Sequence, residues 1–520
     1  MRVALALATA TLALAAGASP AQAVQDRPNV VVIMTDDQRV SQLSRETMPA
    51  TWNQIGRPGT RFTNSFVSSP LCCPSRAGFL TGSHAHNNGV YDNVPGYPAM
   101  SEPDSTLFTW LRAGGYRTGH VGRFLLGYPN VPSTLGGALP PPGVEDWFGF
   151  IEGATRYYNA LFSDNGLPIR TGFDPHRDYA TNVINREASE FVAAAAPSDR
   201  PFFLSVAHIA PHTVNLQALD ACGRGTPVAE PGTYGPYADE PLPRPPSYNE
   251  RRISDKPRWI RERRRLSPER KNLLRHGWRC ALASLASVDR GVAELIGQLA
   301  SSGELERTAI FFTSDNGLLF GEHRLVQAKS YPYDEVLRVP LLARIPPAYT
   351  GGVPQPARVA APVTNLDLTA TILELTQTTP CHLGGCRTID GRSFVPLLTG
   401  NRRGWPRDRA VLAELGQPNC ARDPSQRGGL KVFYSTVRTR GHLYTRLHQV
   451  DPATGRCRPT EHELYDLRRD PYQLDNVAVD PKRRPPPKVQ RRLARRLSSL
   501  TRCAGIRGRD APVDGRPHCE

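Results

Sequence analysis

Four short runs of apolar residues, rich in β-branched and aromatic side chains, recur along the chain. Such runs, unbroken by polar positions, are typical of strands buried on both faces of a parallel sheet. Between them lie stretches with apolar residues at helical spacing. The alternation predicts an α/β fold built on a mostly parallel sheet. The predicted strands are residues 30–34, 202–206, 309–312 and 339–342, and the predicted helices are residues 187–196, 281–302 and 366–375.

Other parts of the chain do not follow this alternation of strands and helices. Residues 213–258 are rich in proline and lack periodicity, which predicts a long surface loop. Short strands at 430–436 and 442–447 alternate with turns and predict a small antiparallel C-terminal subdomain. The predicted organisation is a signal peptide (1–23), a main domain (24–400), the C-terminal subdomain (401–480) and a basic helical, disulfide-tied tail (481–520).

The charge of the chain is concentrated in two segments. The 520 residues carry a formal net charge of +16, with 39% hydrophobic residues. Residues 482–509 hold eleven Lys/Arg and no acidic residue, and residues 251–271 hold ten Lys/Arg against three acidic residues. The remainder is close to neutral, which argues against a nucleic-acid-binding core. The two segments could contact a polyanionic substrate, although solvated charge runs are common.

The N-terminus predicts export. Met1-Arg2 is followed by an apolar run at 3–16 and by Ala21-Gln22-Ala23, which together have the form of a secretory signal peptide. The run is too short for a permanent membrane span, and no later stretch approaches ~20 apolar residues. We expect a mature chain that starts near Val24 and is secreted, with a retained anchor as the alternative.

Export changes the interpretation of the ten cysteines, since most should pair in an oxidising compartment. Eight of them allow about a hundred pairings, so sequence alone leaves the connectivity open. Cys72 and Cys73 are adjacent and cannot easily bridge each other, which leaves them for another role. The pairs considered are Cys222/Cys280, Cys381/Cys386, Cys420/Cys457 and Cys503/Cys519.

Polar side chains follow three of the predicted strands. Asp36-Asp37 follows the first, Asp315-Asn316 follows the third, and His208 and then His212 follow the second. Ligands in open α/β sheets bind outside the carboxyl ends of the strands, so these groups should converge. One such Asp pair is more often a cap or a turn, but two pairs after two buried strands favour a hard cation, Ca²⁺ or Mg²⁺.

A second signal lies at residues 69–82, where Cys72-Cys73-Pro74-Ser75-Arg76 predicts a loop that enters a helix. A group at the N-terminus of a helix meets unpaired N–H groups and the positive end of the dipole, which favour an anion. A disulfide partner or a buried free thiol is the alternative interpretation of Cys72.

These residues resemble a known family. Cys72-x-Pro74-Ser75-Arg76 followed by Leu-Thr-Gly resembles the signature of type I sulfatases, in which the first Cys is converted to formylglycine. The resemblance covers residues 27–480 and is strongest toward the N-acetylglucosamine-6-sulfatase and extracellular heparan sulfatase members. Further motifs that carry it are 28–38, 115–123, 314–317, 321–323 with Lys329, and 463–471.

The resemblance implies an alkaline-phosphatase-like fold, a mostly parallel sheet sandwiched by helices, with 24–400 as the catalytic domain. It implies a sulfuric ester hydrolase acting on a sulfated sugar, a glycosaminoglycan or an aryl sulfate, and a maturation enzyme that generates formylglycine. It also implies one bound Ca²⁺, with Mg²⁺ less favoured. The implied metal ligands are Asp36, Asp37, Asp315, Asn316 and the modified Cys72.

The resemblance also implies catalytic roles. A hydrated aldehyde at Cys72 has two hydroxyls, one to attack sulfur and one to expel sulfate as the aldehyde re-forms. Arg76 would orient this residue, and Lys329 and Arg123 would stabilise negative charge on the transferring group. His212 would protonate the leaving oxygen, alone or with Lys329.

The chain departs from the family pattern at two positions, and two functions other than a sulfatase are considered, of which only the second is suggested by Arg123. Arg123 stands where many relatives have Lys, and Leu125 stands where they have His. A further residue, His86, is a weaker candidate for the site. One alternative is a phosphonate or phosphate-ester hydrolase of the same fold. The other is a catalytically impaired protein whose basic segments bind sulfated polysaccharide.

Overall fold

The structure is a computed structural model that describes residues 27–128, 136–151, 156–214, 218–219, 221–416, 433–450, 457–479 and 487–520. The predicted signal peptide lies outside these ranges. So does Cys420, and with it the candidate pair Cys420/Cys457.

The strands and helices are numbered in chain order. The strands are β1 Asn29–Thr35, β2 Thr60–Phe62, β3 Ser65–Phe66, β4 Arg117–Gly122, β5 Asp146–Phe150, β6 Leu161–Asp164, β7 Leu167–Arg170, β8 Phe202–Ala207, β9 Ala218–Leu219, β10 Cys222–Gly223, β11 Thr308–Ser314, β12 Leu319–Phe320, β13 Val326–Ala328, β14 Leu341–Arg344, β15 Arg358–Val359, β16 Val363–Thr364, β17 Cys381–His382, β18 Gly385–Cys386, β19 Val411–Leu415, β20 Phe433–Arg438, β21 His442–Val450 and β22 Cys457–Asp466. The α-helices are α1 Pro49–Thr51, α2 Cys72–Thr81, α3 Ala85–Asn88, α4 Leu107–Ala113, α5 Ala180–Ala195, α6 Arg258–Arg261, α7 Pro268–Ser301, α8 Asp334–Leu337, α9 Asn365–Leu375, α10 Val395–Leu398 and α11 Lys488–Leu500.

The main sheet has ten strands in the order β15-β2-β14-β11-β1-β8-β4-β5-β6-β7. Its centre, from β11 to β5, is parallel. The run predicted at 339–342 forms a strand two residues later than expected, and β14 pairs antiparallel to β11. The predicted mostly parallel α/β sheet is therefore confirmed.

Helices cover both faces of this sheet. Alternate residues of β1 divide between two apolar cores, Val30 and Val32 on one side and Val31 and Ile33 on the other. The period of two in a strand sends successive side chains to opposite faces, so a continuous apolar run serves both cores. The first core also contains residues of α2, α4 and α9, and the second contains residues of α5 and α7.

Helices α5 and α7 begin earlier than predicted, and one predicted surface loop is partly buried. Helix α7 begins at Pro268, well before the predicted start, because Ser267 caps it and proline suits its first turn. The described part of residues 213–258 is mostly irregular, as expected, apart from short elements such as β9 and β10, but it is not a surface loop throughout. Val228, Leu242 and Lys256 are buried within it.

The predicted antiparallel C-terminal subdomain is confirmed as a sheet in the order β19-β20-β21-β22. Helix α11 packs on it through Leu493 and Leu497, which lie in one apolar cluster with Val437 and Leu464. None of the helices in the described ranges is long and apolar enough to cross a membrane.

Three of the considered disulfides are present: Cys222–Cys280, Cys381–Cys386 and Cys503–Cys519. Cys72 and Cys73 are free and buried. The prediction that this adjacent pair is kept out of the disulfide framework is thus confirmed.

Candidate active site

The polar residues after β1 and β11 lie side by side at the carboxyl edge of the main sheet. Thr35 and Ser314 are paired at the ends of these strands, so the residues that follow emerge together. The Asp315 amide donates to the Thr35 carbonyl at 3.1 Å, and the Asp37 amide donates to Asp315 Oδ1 at 3.1 Å. Asp37 has a φ of 71°, a left-handed turn that Asp tolerates better than most residues.

Three carboxylates are buried together at this edge. Asp36, Asp37 and Asp315 are at most 2% exposed, and each offers an oxygen within 4.8 Å of the others. Asn316 Nδ2 donates to Asp37 Oδ1 at 2.5 Å, whereas Asn316 Oδ1 is buried without a hydrogen-bond partner. A buried oxygen without a donor is costly, and a cation would satisfy it. This set of oxygens fits a hard divalent cation.

Cys72 is the first residue of α2, at the edge of this cluster. Its Sγ lies 3.5 Å from Asp36 Oδ1 and accepts from Lys329 Nζ at 2.8 Å. Burial, followed by the charge of Asp36, raises the pKa of the Cys72 thiol well above its usual range. The unmodified thiol is therefore protonated at neutral pH and is a weak nucleophile.

Two asparagines that the sequence analysis did not identify hold the start of α2. Asn93 Oδ1 accepts from the Cys73 amide at 2.9 Å. Asn365 accepts from the Ser68 amide at 2.9 Å and donates to the Ser75 carbonyl at 2.8 Å. No motif marks these contacts, and that of Asn365 crosses about 290 positions of sequence.

Arg76 ties the carboxylates to one another. Its Nε donates to Asp315 Oδ2 at 2.8 Å, and its Nη2 donates to Asp36 Oδ2 at 3.1 Å. The third donor, Nη1, reaches the Arg123 carbonyl at 2.8 Å, and the Arg123 guanidinium contacts Asp36 in turn. Lys329 Nζ donates to Asp37 Oδ1 at 2.7 Å.

Three cations thus face three carboxylates. Burial alone would raise the pKa of Asp36, but Arg123 and the other neighbouring cations hold it well below its usual range. Burial and the negative charge of Asp36 instead raise the pKa of Asp315 to about 6. Of these two carboxylates, Asp36 is the one that the surrounding cations stabilise more.

His212 and Lys329 lie at the open side of the site. Their side chains are 19% and 17% exposed, whereas that of Asp36 is fully buried. His212 Nδ1 donates to the Thr213 carbonyl at 2.7 Å, which turns Nε2 toward the site, 3.7 Å from Asp37 Oδ2. Burial, followed by the charge of Lys329, lowers the pKa of His212 to about 4. The free imidazole is neutral.

The structure brings the predicted site residues together, except for the weaker candidate His86. The group comprises Asp36, Asp37, Cys72, Arg76, Arg123, His212, Asp315, Asn316 and Lys329. His86 instead bonds Glu414 Oε2 at 2.7 Å and the Cys503 carbonyl at 3.0 Å, a structural role. Ser314, which belongs to the motif at 314–317 but was assigned no role from sequence, accepts from the Gln38 amide at 3.0 Å.

The chain is similar in sequence to known sulfatases. The sulfatase family model matches residues 28–378. A sulfatase of Drosophila melanogaster, the extracellular SULF-1 homolog, is 32% identical over 77% of this chain, which spans about a third (34%) of that relative. The arylsulfatase of Volvox carteri is 31% identical, covering 88% of this chain and 73% of the relative. Human N-acetylglucosamine-6-sulfatase is 28% identical, covering 92% and 85%.

Solved structures share the fold. BT4656 in complex with its substrate D-glucosamine-2-N,6-O-disulfate has a TM-score of 0.69 at 22% identity, covering 91% of this chain and 97% of that chain. The phosphonate monoester hydrolase of Agrobacterium radiobacter has a TM-score of 0.65 at 22% identity, covering 91% and 95%.

Replacing Arg76 tests whether the buried ion network holds the site together. We expect Arg76→Ala to lower the free energy of unfolding by about 3–5 kcal/mol, because it leaves Asp36 and Asp315 buried without their shared partner. Urea denaturation followed by tryptophan fluorescence measures the change. The control is Arg258→Ala, which removes an exposed arginine paired with Glu262 and should have little effect. Equal effects of the two substitutions would contradict the structural role of Arg76.

Proposed function

The chain belongs to the sulfatase family, a class of sulfuric ester hydrolases, and from this premise we propose that it is a secreted, metal-dependent enzyme that hydrolyses sulfate esters of carbohydrates. The observation that carries the proposal is the placement of Cys72 at the N-terminus of α2, against Lys329 and Asp36. The names of the human relative and of the substrate bound to BT4656 support a sulfated sugar, whereas the name of the Volvox carteri relative supports an aryl sulfate, which is the alternative substrate class.

The proposed nucleophile is formylglycine derived from Cys72. The buried, protonated thiol is unsuited to attack, and a covalent thiol product would have no easy exit. Formylglycine would supply a hydrated aldehyde, whose first hydroxyl would attack sulfur and displace the substrate alcohol, and whose second would lose its proton and expel sulfate as the aldehyde re-forms. Asn93 and Asn365 fix the helix start that carries this residue.

The proposed metal ligands are Asp36, Asp37, Asp315 and Asn316, together with the modified Cys72. A divalent ion there would polarise a sulfate oxygen and lower the pKa of the attacking hydroxyl. We favour Ca²⁺, because a cluster of oxygen ligands from two loops suits its flexible coordination by about six to eight oxygens.

The remaining residues have distinct proposed roles. Arg76 orients Asp36 and Asp315 and so positions the ligands. Lys329 and Arg123 place positive charge where the transferring sulfuryl group becomes negative. Lys329 faces the open side as an ammonium and would protonate the leaving oxygen, and His212 would share this step once the anionic substrate has raised its pKa and Nε2 has taken up a proton.

The proposal also covers the secretion and maturation of the chain. Three disulfides and relatives named as extracellular sulfatases support secretion after removal of residues 1–23. A formylglycine-generating enzyme is the required maturation partner. We assign 24–400 to the catalytic domain, 401–480 to the C-terminal subdomain and 481–520 to the basic tail.

The mass of the tryptic peptide of residues 62–76 tests the nucleophile. In secreted protein from a host with maturation machinery, we expect a peptide lighter by the exchange of hydrogen sulfide for an oxygen atom at Cys72. Mass spectrometry detects this change, and the Cys73→Ala variant shows which cysteine is converted. An intact thiol at Cys72 in active protein would overturn the formylglycine mechanism.

Initial rates on paired aryl sulfate and aryl phosphonate substrates test the reaction class. We expect the sulfate to be the better substrate, and Lys329→Ala to lower kcat by about 10²- to 10³-fold, because a charge beside the reacting group is lost. Lys488→Ala removes an equal charge from the exposed start of α11 and serves as the control. Faster turnover of the phosphonate would favour the alternative hydrolase.

Thermal unfolding with and without Ca²⁺ tests the metal site. At a Ca²⁺ concentration about 100 times its Kd, binding should stabilise the protein by about 2.7 kcal/mol and raise Tm. Asp37→Asn should abolish this rise, and Asp475→Asn, at an exposed carboxylate, should not. A rise with Mg²⁺ alone would show the choice of ion to be wrong, and no rise with either would remove the metal from the proposal.

A further inference from the structure

A basic cleft lies between helix α11, the β20–β21 turn and the loop of residues 400–408. It consists of two adjoining cavities of about 580 Å³ and 860 Å³, both lined by Asp408 and Arg440. Seven arginines and one acidic residue, Asp408, line the two cavities together. Their volumes lie within the range of about 300–1,000 Å³ that ligand sites occupy.

Helix α11 gives the cleft one basic wall. Leu493, Leu497 and Leu500 face the C-terminal sheet and are buried, which fixes the rotation of the helix. Arg492 and Arg496 are one turn apart and therefore share a face, which borders the cleft. Because the apolar face of α11 packs on the C-terminal sheet, Arg492 and Arg496 are directed toward the basic cleft.

Much of this charge is unpaired. Among the described residues, Arg440 and Arg492 are exposed and have no ion pair, and Arg496 Nε is buried without a hydrogen-bond partner. Arg468, which also lines the cleft, pairs with Asp466 at 3.1 Å. A concave surface lined by one sign of charge concentrates ions of the other sign, so this cleft favours an anion.

The cleft is remote from the catalytic centre. Tyr434 and Leu447, at one end of the C-terminal sheet, pack with Leu71, which precedes Cys72. The cleft begins at Arg440, six positions beyond Tyr434 along the chain. At about 3.3 Å per residue, roughly 20 Å of strand separates the two ends.

We propose that this basic cleft is a second binding site, for a sulfated carbohydrate chain, that holds a polymeric substrate while an ester at the catalytic centre is hydrolysed. The choice of ligand rests on the proposed function. Arginine suits it because the guanidinium fork binds sulfate through two parallel hydrogen bonds. A single-stranded nucleic acid would need aromatic surfaces for its bases, and the tryptophan that lines the cleft, Trp405, has a ring face covered by Arg409 at 4.8 Å.

The test measures binding without turnover. A fluorescein-labelled heparin octasaccharide is titrated into the full-length chain carrying Cys72→Ala, with and without the pair Arg440→Gln and Arg492→Gln. We expect the pair to weaken Kd by about tenfold or more at physiological salt. The matched control is Arg264→Gln with Arg265→Gln, two exposed arginines of the other basic segment, which should leave Kd within about twofold.

Each outcome decides the proposal. Equal weakening by both pairs would show diffuse attraction rather than a site and overturn it, as would duplex DNA of equal charge binding as tightly as the octasaccharide. With Cys72 intact, the cleft pair should leave turnover of a small aryl sulfate unchanged and lower kcat/KM for a sulfated polysaccharide. If neither the aryl sulfate nor the sulfated polysaccharide is hydrolysed but cleft-dependent binding persists, the proposed function fails and the binding site stands.

Discussion

Burial of three carboxylates within one small volume is the constraint on which the rest of the structure depends. Asp36, Asp37 and Asp315 lose their hydration and repel one another, and removing a partner from such a buried group costs several kcal/mol. The compensating cations come from three separate parts of the chain: Arg76 from α2, Arg123 from the end of β4, and Lys329 from beyond β13. The carboxyl edge of the main sheet, helix α2 and the loop that carries Lys329 must therefore come together for these charges to be compensated.

The need to compensate the buried carboxylates also explains why arginine fits at position 123. Its guanidinium contacts Asp36, and its backbone carbonyl accepts from Arg76. Arg123 is thus part of the ion network as well as a cation beside the reacting centre. Three cations offset three carboxylates, so a bound divalent ion would leave the site positively charged and suited to a sulfate ester.

Sequence predicted the parts of the site that follow from local pattern. Asp36 and Asp315 follow apolar runs, and strand ends in an open sheet converge, so their meeting could be expected. Asn93 and Asn365 could not be expected, because each acts by folding a distant loop or helix onto α2. The direction of β14 and the burial within residues 213–258 are likewise consequences of tertiary packing, which composition does not encode.

The C-terminal sheet connects the loop before Cys72 to the basic cleft. The Glu414 amide, in β19, donates to the Ser68 carbonyl at 3.0 Å, and Tyr434 of β20 packs against Leu71, so one end of the sheet supports the loop that enters α2. The other end forms the basic cleft with α11. Because one rigid sheet spans both, a polymer held in the cleft would be positioned relative to Cys72 without any flexible linker. The subdomain therefore belongs to the architecture of the candidate site, because its contacts with Ser68 and Leu71 support the loop from which α2 begins.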